Sequence, residues 1–454
     1  MPRRQLSCPL GTQSRRRRGL GAQTTTGPRL KHAEQNAQGR GSPRQRGWMI
    51  ADDPMCQQIF HIPQIRQRNV LLIDISCGMP WDPNLPYNDL PGLPPAADIE
   101  SKAILKAVTR ARVEVARLDQ ATSLLADPGV LLHNIALLEA QASSEIENIV
   151  TTTDELFRRS QLFADSGDPA IKETLRYRSA LYLGLDGVRA RGLTVGTAID
   201  VCTAAKGHQM QIRAVPGTRI ANPATQRIIY SPPEGVDLIR DRLSDWERYV
   251  NLRTDVDPLV IMAVAHYQFE AIHPFTDGNG RTGRILNILM LVNAGLLRQP
   301  VLYLSRPIIE TKADYYRLLQ SVTAEGAWEE WILYMIDAVR QAAAATTDRI
   351  TAVARARSDF LAQYREATPG MVNADFHEVL FSQPYCRIQQ VVAHCGVTRQ
   401  TATAWLSALV DAGALGRIKV GRERLFLNHA FWRALTEPTE VLRAAGDTHN
   451  ETPE

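Results

Sequence analysis

At 454 residues, 44% apolar and 22% charged, the chain has the composition of a folded globular protein with room for two to four domains. Its formal charge of +4 is uneven: residues 1–48 hold eleven Arg or Lys against one acid, Glu34, so the rest is net acidic and the basic average says little of the folded part. Six scattered cysteines (Cys8, Cys56, Cys77, Cys202, Cys386, Cys395) argue against a disulfide framework or zinc site, and no apolar run reaches the ~18 residues of a membrane span. The expectation is a cytoplasmic protein with no membrane contact.

Residues 1–48 are rich in Arg, Gln, Gly, Ser and Thr and poor in large apolar side chains, so they read as a disordered basic tail or a leader ahead of a start at Met49. The arginine-rich start lacks a following apolar region, so it is not a secretory signal. From Trp81 to Pro95 the chain is extended and punctuated by proline. Helices are predicted near 98–119, through Ile104, Leu105, Val108, Val113 and Leu118, and near 129–150. Residues 168–207 read as helical, with Leu175, Leu181, Leu183 and Leu185 as apolar contacts. Short β-prone runs around Asn222-Pro-Ala-Thr predict a hairpin within 211–233.

Asp257, a natural N-cap, and Pro258 then open a helix running to Ala271, with Leu259, Met262, His266 and Phe269 near helical spacing. Ile285 to Leu297 is apolar almost all round, as in a buried helix. Between the two lies His273-Pro-Phe-Thr-Asp-Gly-Asn-Gly-Arg-Thr-Gly-Arg284, which reads as a tight loop with a new helix from about Arg281.

The chemistry of that loop points to phosphate. Glycines let backbone N–H groups approach an anion, and a helix N-terminus adds unpaired donors and a favourable dipole. Arg281 and Arg284 are three apart, so both guanidinium groups lie on one side of the first turn. Asp277 offers a hard oxygen to magnesium, and His273 is the one group of the stretch able to take a proton near neutrality. Phosphoryl or nucleotidyl transfer to a hydroxyl is the reaction class this set of residues fits. Phe275, apolar within a polar loop, is expected to anchor it in the core.

The stretch is not a Walker-type phosphate loop, which would place Lys after a strand. It resembles, at every defined position, the Fic signature H-P-F-x-[DE]-G-N-G-R-x-x-R. The resemblance implies a protein adenylyltransferase that moves AMP from ATP to a Ser, Thr or Tyr hydroxyl of target proteins and of itself. It makes His273 the base and Asp277 the Mg²⁺ ligand. Gly278, Asn279, Gly280, Arg281, Thr282, Gly283 and Arg284 would form the ATP phosphate site. Ser143, Glu147 and Asn148 in turn resemble the Fic inhibitory motif [ST]-x-x-x-E-[GN], which implies Glu147 pairing with Arg284 in the place of the γ-phosphate. The hairpin at 213–233 resembles the Fic flap, onto which a target segment adds as a strand. Tyr315 or Tyr316, opening a helix at Lys312, could pack on adenine or simply in the core; Trp328, Trp331 and Tyr334 read as core.

From Asp337 to about Arg365 an Ala-rich periodic stretch predicts a connecting helix. Beyond Pro369-Gly370, Ile388 to Ala393, the turn 394–398 and Gln400 to Ala412 read as helix–turn–helix, with strands after them at 415–420 and 424–428 across Gly421-Arg422. This resembles a winged-helix domain. DNA through 388–428 would meet Thr398, Arg399, Gln400 and Thr403, with Lys419 and Arg422 at phosphates; protein contact is the other use of such a domain. The fold expected is mostly α: a Fic-type helical core with a β-hairpin flap, a helical N-terminal domain and a small α/β winged-helix C-terminal domain. The divisions are 1–48 tail, 49–165 Fic N-terminal domain carrying the inhibitory helix, 166–345 catalytic domain, 346–369 connecting helix, 370–435 winged helix and 436–454 tail. Family habit implies a homodimer. Removal of AMP from modified proteins, or a winged-helix transcription regulator with a nucleotide-sensing core, are the alternative functions.

Overall fold

The computed structural model describes residues 81–123, 128–162, 168–222, 225–365, 373–420 and 423–447. The basic tail, Cys8, Cys56, Cys77 and Arg422 lie outside these. The described residues form sixteen helices and two small antiparallel sheets. The expected mostly helical class is what the structure shows.

α1 (Lys102–Ser123) runs along α11 (Trp328–Tyr364), a helix of 37 residues and therefore about 55 Å. Ile104, Val108 and Leu118 face the core as expected, but Leu105 and Val113 are about half exposed. A 3.6-residue stripe cannot hold all five, and α1 buries Ala111 and Val115 instead. α2 (Pro128–Ile146) and α3 (Thr153–Leu162) come next.

The long helical stretch at 168–207 is two helices, α4 (Pro169–Arg191) and α5 (Val195–Lys206), because Gly192 takes a positive φ and Thr194 caps α5. Leu181 and Leu185 are buried in α4, while Leu183, on its outer face, is exposed. The hairpin is small: β1 (Ile220–Ala221) pairs antiparallel with β2 (Ile228–Tyr230), Ile220 opposite Tyr230.

α6 (Val236–Leu252), α7 (Pro258–Ile272) and α8 (Asn279–Asn293) make the centre, with α7 and α8 buried along most of their length. The proline-punctuated segment at 81–95 is tied to the end of the hairpin and to α7: Tyr87 N–H donates to the Ser231 carbonyl at 2.9 Å and Gln268 Nε2 to the Pro91 carbonyl at 2.9 Å. α9 (Ser305–Glu310) and α10 (Lys312–Glu325) lead into α11. Trp331 is fully buried, with its indole N–H on the Ala263 carbonyl at 2.8 Å.

The C-terminal part has α12 (Ala374–Ser382), β3 (Tyr385–Arg387), α13 (Ile388–Cys395), α14 (Arg399–Asp411), β4 (Leu415–Val420), β5 (Glu423–Asn428), α15 (His429–Thr436) and α16 (Thr439–Asp447). Its sheet order is β3-β5-β4. The helix–turn–helix and both strands fall where expected; β3, only three residues long, is too short to carry a pattern. Thr398 is spent as the α14 N-cap, and the Thr403 hydroxyl donates to the Arg399 carbonyl at 2.7 Å. Two of the side chains offered to a DNA groove therefore already have local partners, while Arg399 and Gln400 are exposed. Cys386 is buried, as expected of a small core residue, and burial pushes its thiol up to about 12.

Candidate active site

Two helices meet end to end at the site. α7 begins at Asp257, whose carboxylate accepts from the Leu259 N–H at 2.9 Å. It ends at His273, a left-handed residue with φ 50° and ψ 59° whose N–H still donates to the Phe269 carbonyl at 3.0 Å. A non-glycine residue in that region costs about 1–2 kcal/mol, so something must hold it. Arg213, buried at the root of the flap, does so: its Nε donates to the His273 carbonyl at 2.8 Å and Nη2 to the Ile272 carbonyl at 3.2 Å and the Pro233 carbonyl at 2.5 Å. Its own N–H donates to the Pro274 carbonyl at 2.9 Å. Nothing in the sequence singles out Arg213, because a C-terminal helix cap drawn from 60 residues away leaves no local pattern.

The loop is closed by its own side chains. Phe275 is buried against Phe269, with ring centroids 6.3 Å apart, which is the anchoring expected of it. Asn279 accepts from the Phe275 N–H and donates to the Phe275 carbonyl, both at 2.8 Å. Its amide, which the signature would place on phosphate, is thus a brace. Gly278, at φ 84°, is the N-cap of α8 and supplies no side-chain cap, so the first-turn N–H groups keep the donors that an anion can use.

Arg284 is almost wholly buried. Its Nε donates to Ser143 Oγ at 2.8 Å, and its Nη2 to the Ser143 carbonyl at 2.9 Å and to Glu147 Oε1 at 2.7 Å. Burial opposes the charge on both partners, yet their mutual attraction prevails: Glu147 titrates below the usual carboxylate range and Arg284 above its own. A side chain at Gly280 would collide with Glu147 Oε1, so the carboxylate lies directly against the start of α8. Asn148 sits at φ 62°, a conformation Gly and Asn tolerate best, and its Oδ1 accepts from Lys312 Nζ at 2.9 Å. The three residues of the second motif are therefore one device: an anchor, an acid and a turn.

Arg281 takes a different partner. Its Nη1 is 2.6 Å from Glu173 Oε1 of α4, close but not aligned as a hydrogen bond, and its Nη2 is 3.9 Å from Asp277. Lys206, the last residue of α5, reaches Glu173 Oε1 at 2.9 Å and Asp277 Oδ2 at 2.5 Å. Neither Glu173 nor Lys206 is expected here from sequence, since both lie on helices whose patterns mark only a core face.

The His273 side chain is half-buried, and its Nδ1 has no hydrogen-bond partner. Packed protein around the ring, with Arg213 nearby, lowers its pKa to about 4, against an opposing pull from Glu147. Glu270, one turn earlier, lies so close to Gly283 that any side chain there would collide with its Oε1; burial raises its pKa to about 8. Thr282 is fully buried in the same turn. Tyr315 is buried, with its hydroxyl 2.9 Å from His266 Nε2, and no base can stack on it. Tyr316, edge-on to it with ring centroids 5.1 Å apart, is 44% exposed. Glu139, buried in α2, accepts from the Tyr177 hydroxyl at 3.0 Å, the Ser305 N–H at 2.7 Å and the Ser305 hydroxyl at 2.5 Å. It ties α2 to α4 and α9 behind Arg284.

Comparison with known proteins fits this architecture. Three family models match along the chain: Fic/DOC family N-terminal at residues 105–186, Fic/DOC family at 199–291, and the C-terminal domain of SoFic-like protein adenylyltransferases at 358–431. The chain thus carries a Fic N-terminal domain, a Fic domain and a SoFic-like C-terminal domain. It is similar to protein adenylyltransferase fic-1 of Caenorhabditis elegans, 38% identical over 89 residues, which is 20% of this chain and 16% of the relative. It is also similar to protein adenylyltransferase Fic of Nematostella vectensis, 27% identical over 152 residues, which is 33% of this chain and 32% of the relative. The matches thus span a third or less of those relatives' length. Among solved structures, a Fic family protein of Desulfovibrio desulfuricans G20 aligns with a TM-score of 0.44 at 20% identity, covering 73% of this chain and 97% of that one.

Proposed function

We propose that the chain is a protein adenylyltransferase that moves AMP from ATP to a Ser, Thr or Tyr hydroxyl of target proteins and of itself, restrained by Glu147. One observation carries this reading: a carboxylate from the turn just past the end of α2 lies on the N-terminus of α8 and on Arg284 at 2.7 Å. Anionic oxygens in that place are what a triphosphate would supply, and while Glu147 holds Arg284 a phosphate cannot.

Each residue of the site has its own part in the reaction. His273 takes the proton of the target hydroxyl, whose oxygen attacks the α-phosphorus. The bond from the α-phosphorus to the α,β-bridging oxygen breaks, and pyrophosphate leaves. The α8 N–H groups, Arg281 and, once Glu147 has withdrawn, Arg284 neutralise the leaving phosphates. Asp277 suits Mg²⁺: its side chain is 61% exposed and offers a hard oxygen. Among the described residues no three His, Cys, Asp or Glu converge as a metal cluster, so phosphate oxygens would complete the shell, which is magnesium's habit. When bound, the ion adds charge stabilisation at the phosphates. A chain adding to the flap at 213–233 would bring its hydroxyl to His273, because Arg213 joins the flap root to the His273 carbonyl.

Glu147 also acts electrostatically on His273, which favours a second role for the same pair, water activation in removal of AMP. The Glu147→Gly variant separates the two. Incubated with Mg²⁺ and ATP labelled at the α- or the γ-phosphate, it is expected to gain label from the α position alone, and His273→Ala in the same background to gain none. Label from γ, or none above wild type, contradicts the proposal.

A further inference from the structure

We infer that Lys206 is a further phosphate-binding residue of this site, held in the resting protein by Glu173 and Asp277 as stand-ins for phosphate oxygens. The inference rests on the nucleotide-site reading above and extends it. An ordinary surface lysine keeps its ammonium in water. The Lys206 side chain is only 13% exposed, and its stem lies along Gly278, where a Cβ would stand 3.2 Å from Lys206 Cδ. Its Nζ is thereby led away from its own helix to the electropositive start of α8, an unfavourable place for a cation unless anions sit there.

The anions present are borrowed. Glu173 Oε1 is shared, 2.9 Å from Lys206 Nζ and 2.6 Å from Arg281 Nη1, so one carboxylate oxygen bridges two cations as a phosphate oxygen would. The buried Arg281 Nε has no acceptor among the described residues, so the guanidinium keeps unused donor capacity. Asp277 Oδ2, 2.5 Å from Lys206 Nζ, cannot serve that ammonium and a magnesium ion in the same geometry. With Asp277 holding Mg²⁺, Lys206 would lose one partner, and phosphate oxygens beside Arg281 would replace it. Because Lys206 shares its carboxylate with Arg281, its contact is with the phosphates beyond the α.

The test compares Lys206→Met and Lys206→Arg in the Glu147→Gly background, measuring binding of ATP and of AMP by calorimetry with Mg²⁺ present and Tm for each variant. Lys206→Met is expected to weaken ATP about tenfold or more, the worth of one charge-assisted contact, and to leave AMP within about twofold. Lys206→Arg is expected to recover most of the ATP affinity. Equal losses for ATP and AMP, or an ATP affinity unchanged in Lys206→Met, would overturn the inference and leave Lys206 as a brace for Glu173. If the Glu147→Gly parent binds neither nucleotide, the nucleotide reading fails and this inference with it.

Discussion

His273, the base in the proposed reaction, is under two constraints, a left-handed backbone and a depressed basicity. Its pKa of about 4 lies below the ordinary histidine value of about 6.5, so the ring is neutral over the working pH range. A general base this weak is a poor match to neutral pH. Glu147 is one of the groups raising it; a bound triphosphate, with more negative charge in the same cradle, should raise it further. The acid limb of transfer by the Glu147→Gly variant, measured as kcat/KM for the free enzyme, should therefore fall with an apparent pKa well below 6.5. The stability linkage has the same sign. A folded-state pKa below the unfolded one means stability present above about pH 6.5 and lost as pH falls through about 4. The signature displays His273, Asp277 and both arginines because they sit in one contiguous stretch. Arg213, Glu173 and Lys206 stay hidden in the sequence because each arrives from another element through a single side chain.

At the scale of elements, two clamps stand out, one behind each half of the motif. Arg213 fixes the end of α7 through the Ile272 and His273 carbonyls. Lysine has one point of charge where arginine has a planar fork, so Arg213→Lys is expected to keep ATP affinity within about threefold while kcat falls tenfold or more. Equal changes in affinity and kcat would speak against positioning. Glu139 fixes α2 by accepting three hydrogen bonds. Glu139→Leu strands those donors in the interior, which should destabilise the fold by about 3 kcal/mol or more. It should also raise basal labelling, because α2 is freed to withdraw Glu147. Helix positions are legible wherever apolar spacing repeats, as in α7 and α8. The break at Gly192 is not, because Thr194 and Val195 restart the same pattern at once and only the positive φ of Gly192 reveals the corner.

Across the whole molecule, the C-terminal domain leans on α2 and α3, on either side of the turn that holds Glu147 and Asn148. Phe157 of α3 meets Trp432 of α15 edge to face at 5.9 Å, the Tyr385 hydroxyl donates to Asp154, and Asn134 Nδ2 of α2 donates to the Ser382 carbonyl at 3.0 Å. α11 packs against α1 and also against α15 and α16, which meet it around Asp348 and Arg349, so the two parts share a helix as well as a seam. Trp432→Ala is expected to cost about 3 kcal/mol and to lower Tm while the described part still unfolds in one transition by calorimetry. Two separate transitions would show that the seam carries little. The C-terminal sequence makes the domain visible through its helix–turn–helix and paired strands. It gives no sign of where the domain docks, since a docking face is written in single residues such as Tyr385 and Trp432 rather than in a repeat.

The most direct measurement is a crystal structure of the Glu147→Gly variant with Mg²⁺ and a non-hydrolysable ATP analogue. We expect the triphosphate on the first turn of α8, with a terminal phosphate oxygen on Arg284 where Glu147 Oε1 now lies and the α-phosphorus facing His273. A nucleotide bound elsewhere, or Arg284 still turned to Ser143 alone with no phosphate beside it, would refute that expectation and the enzymatic reading with it.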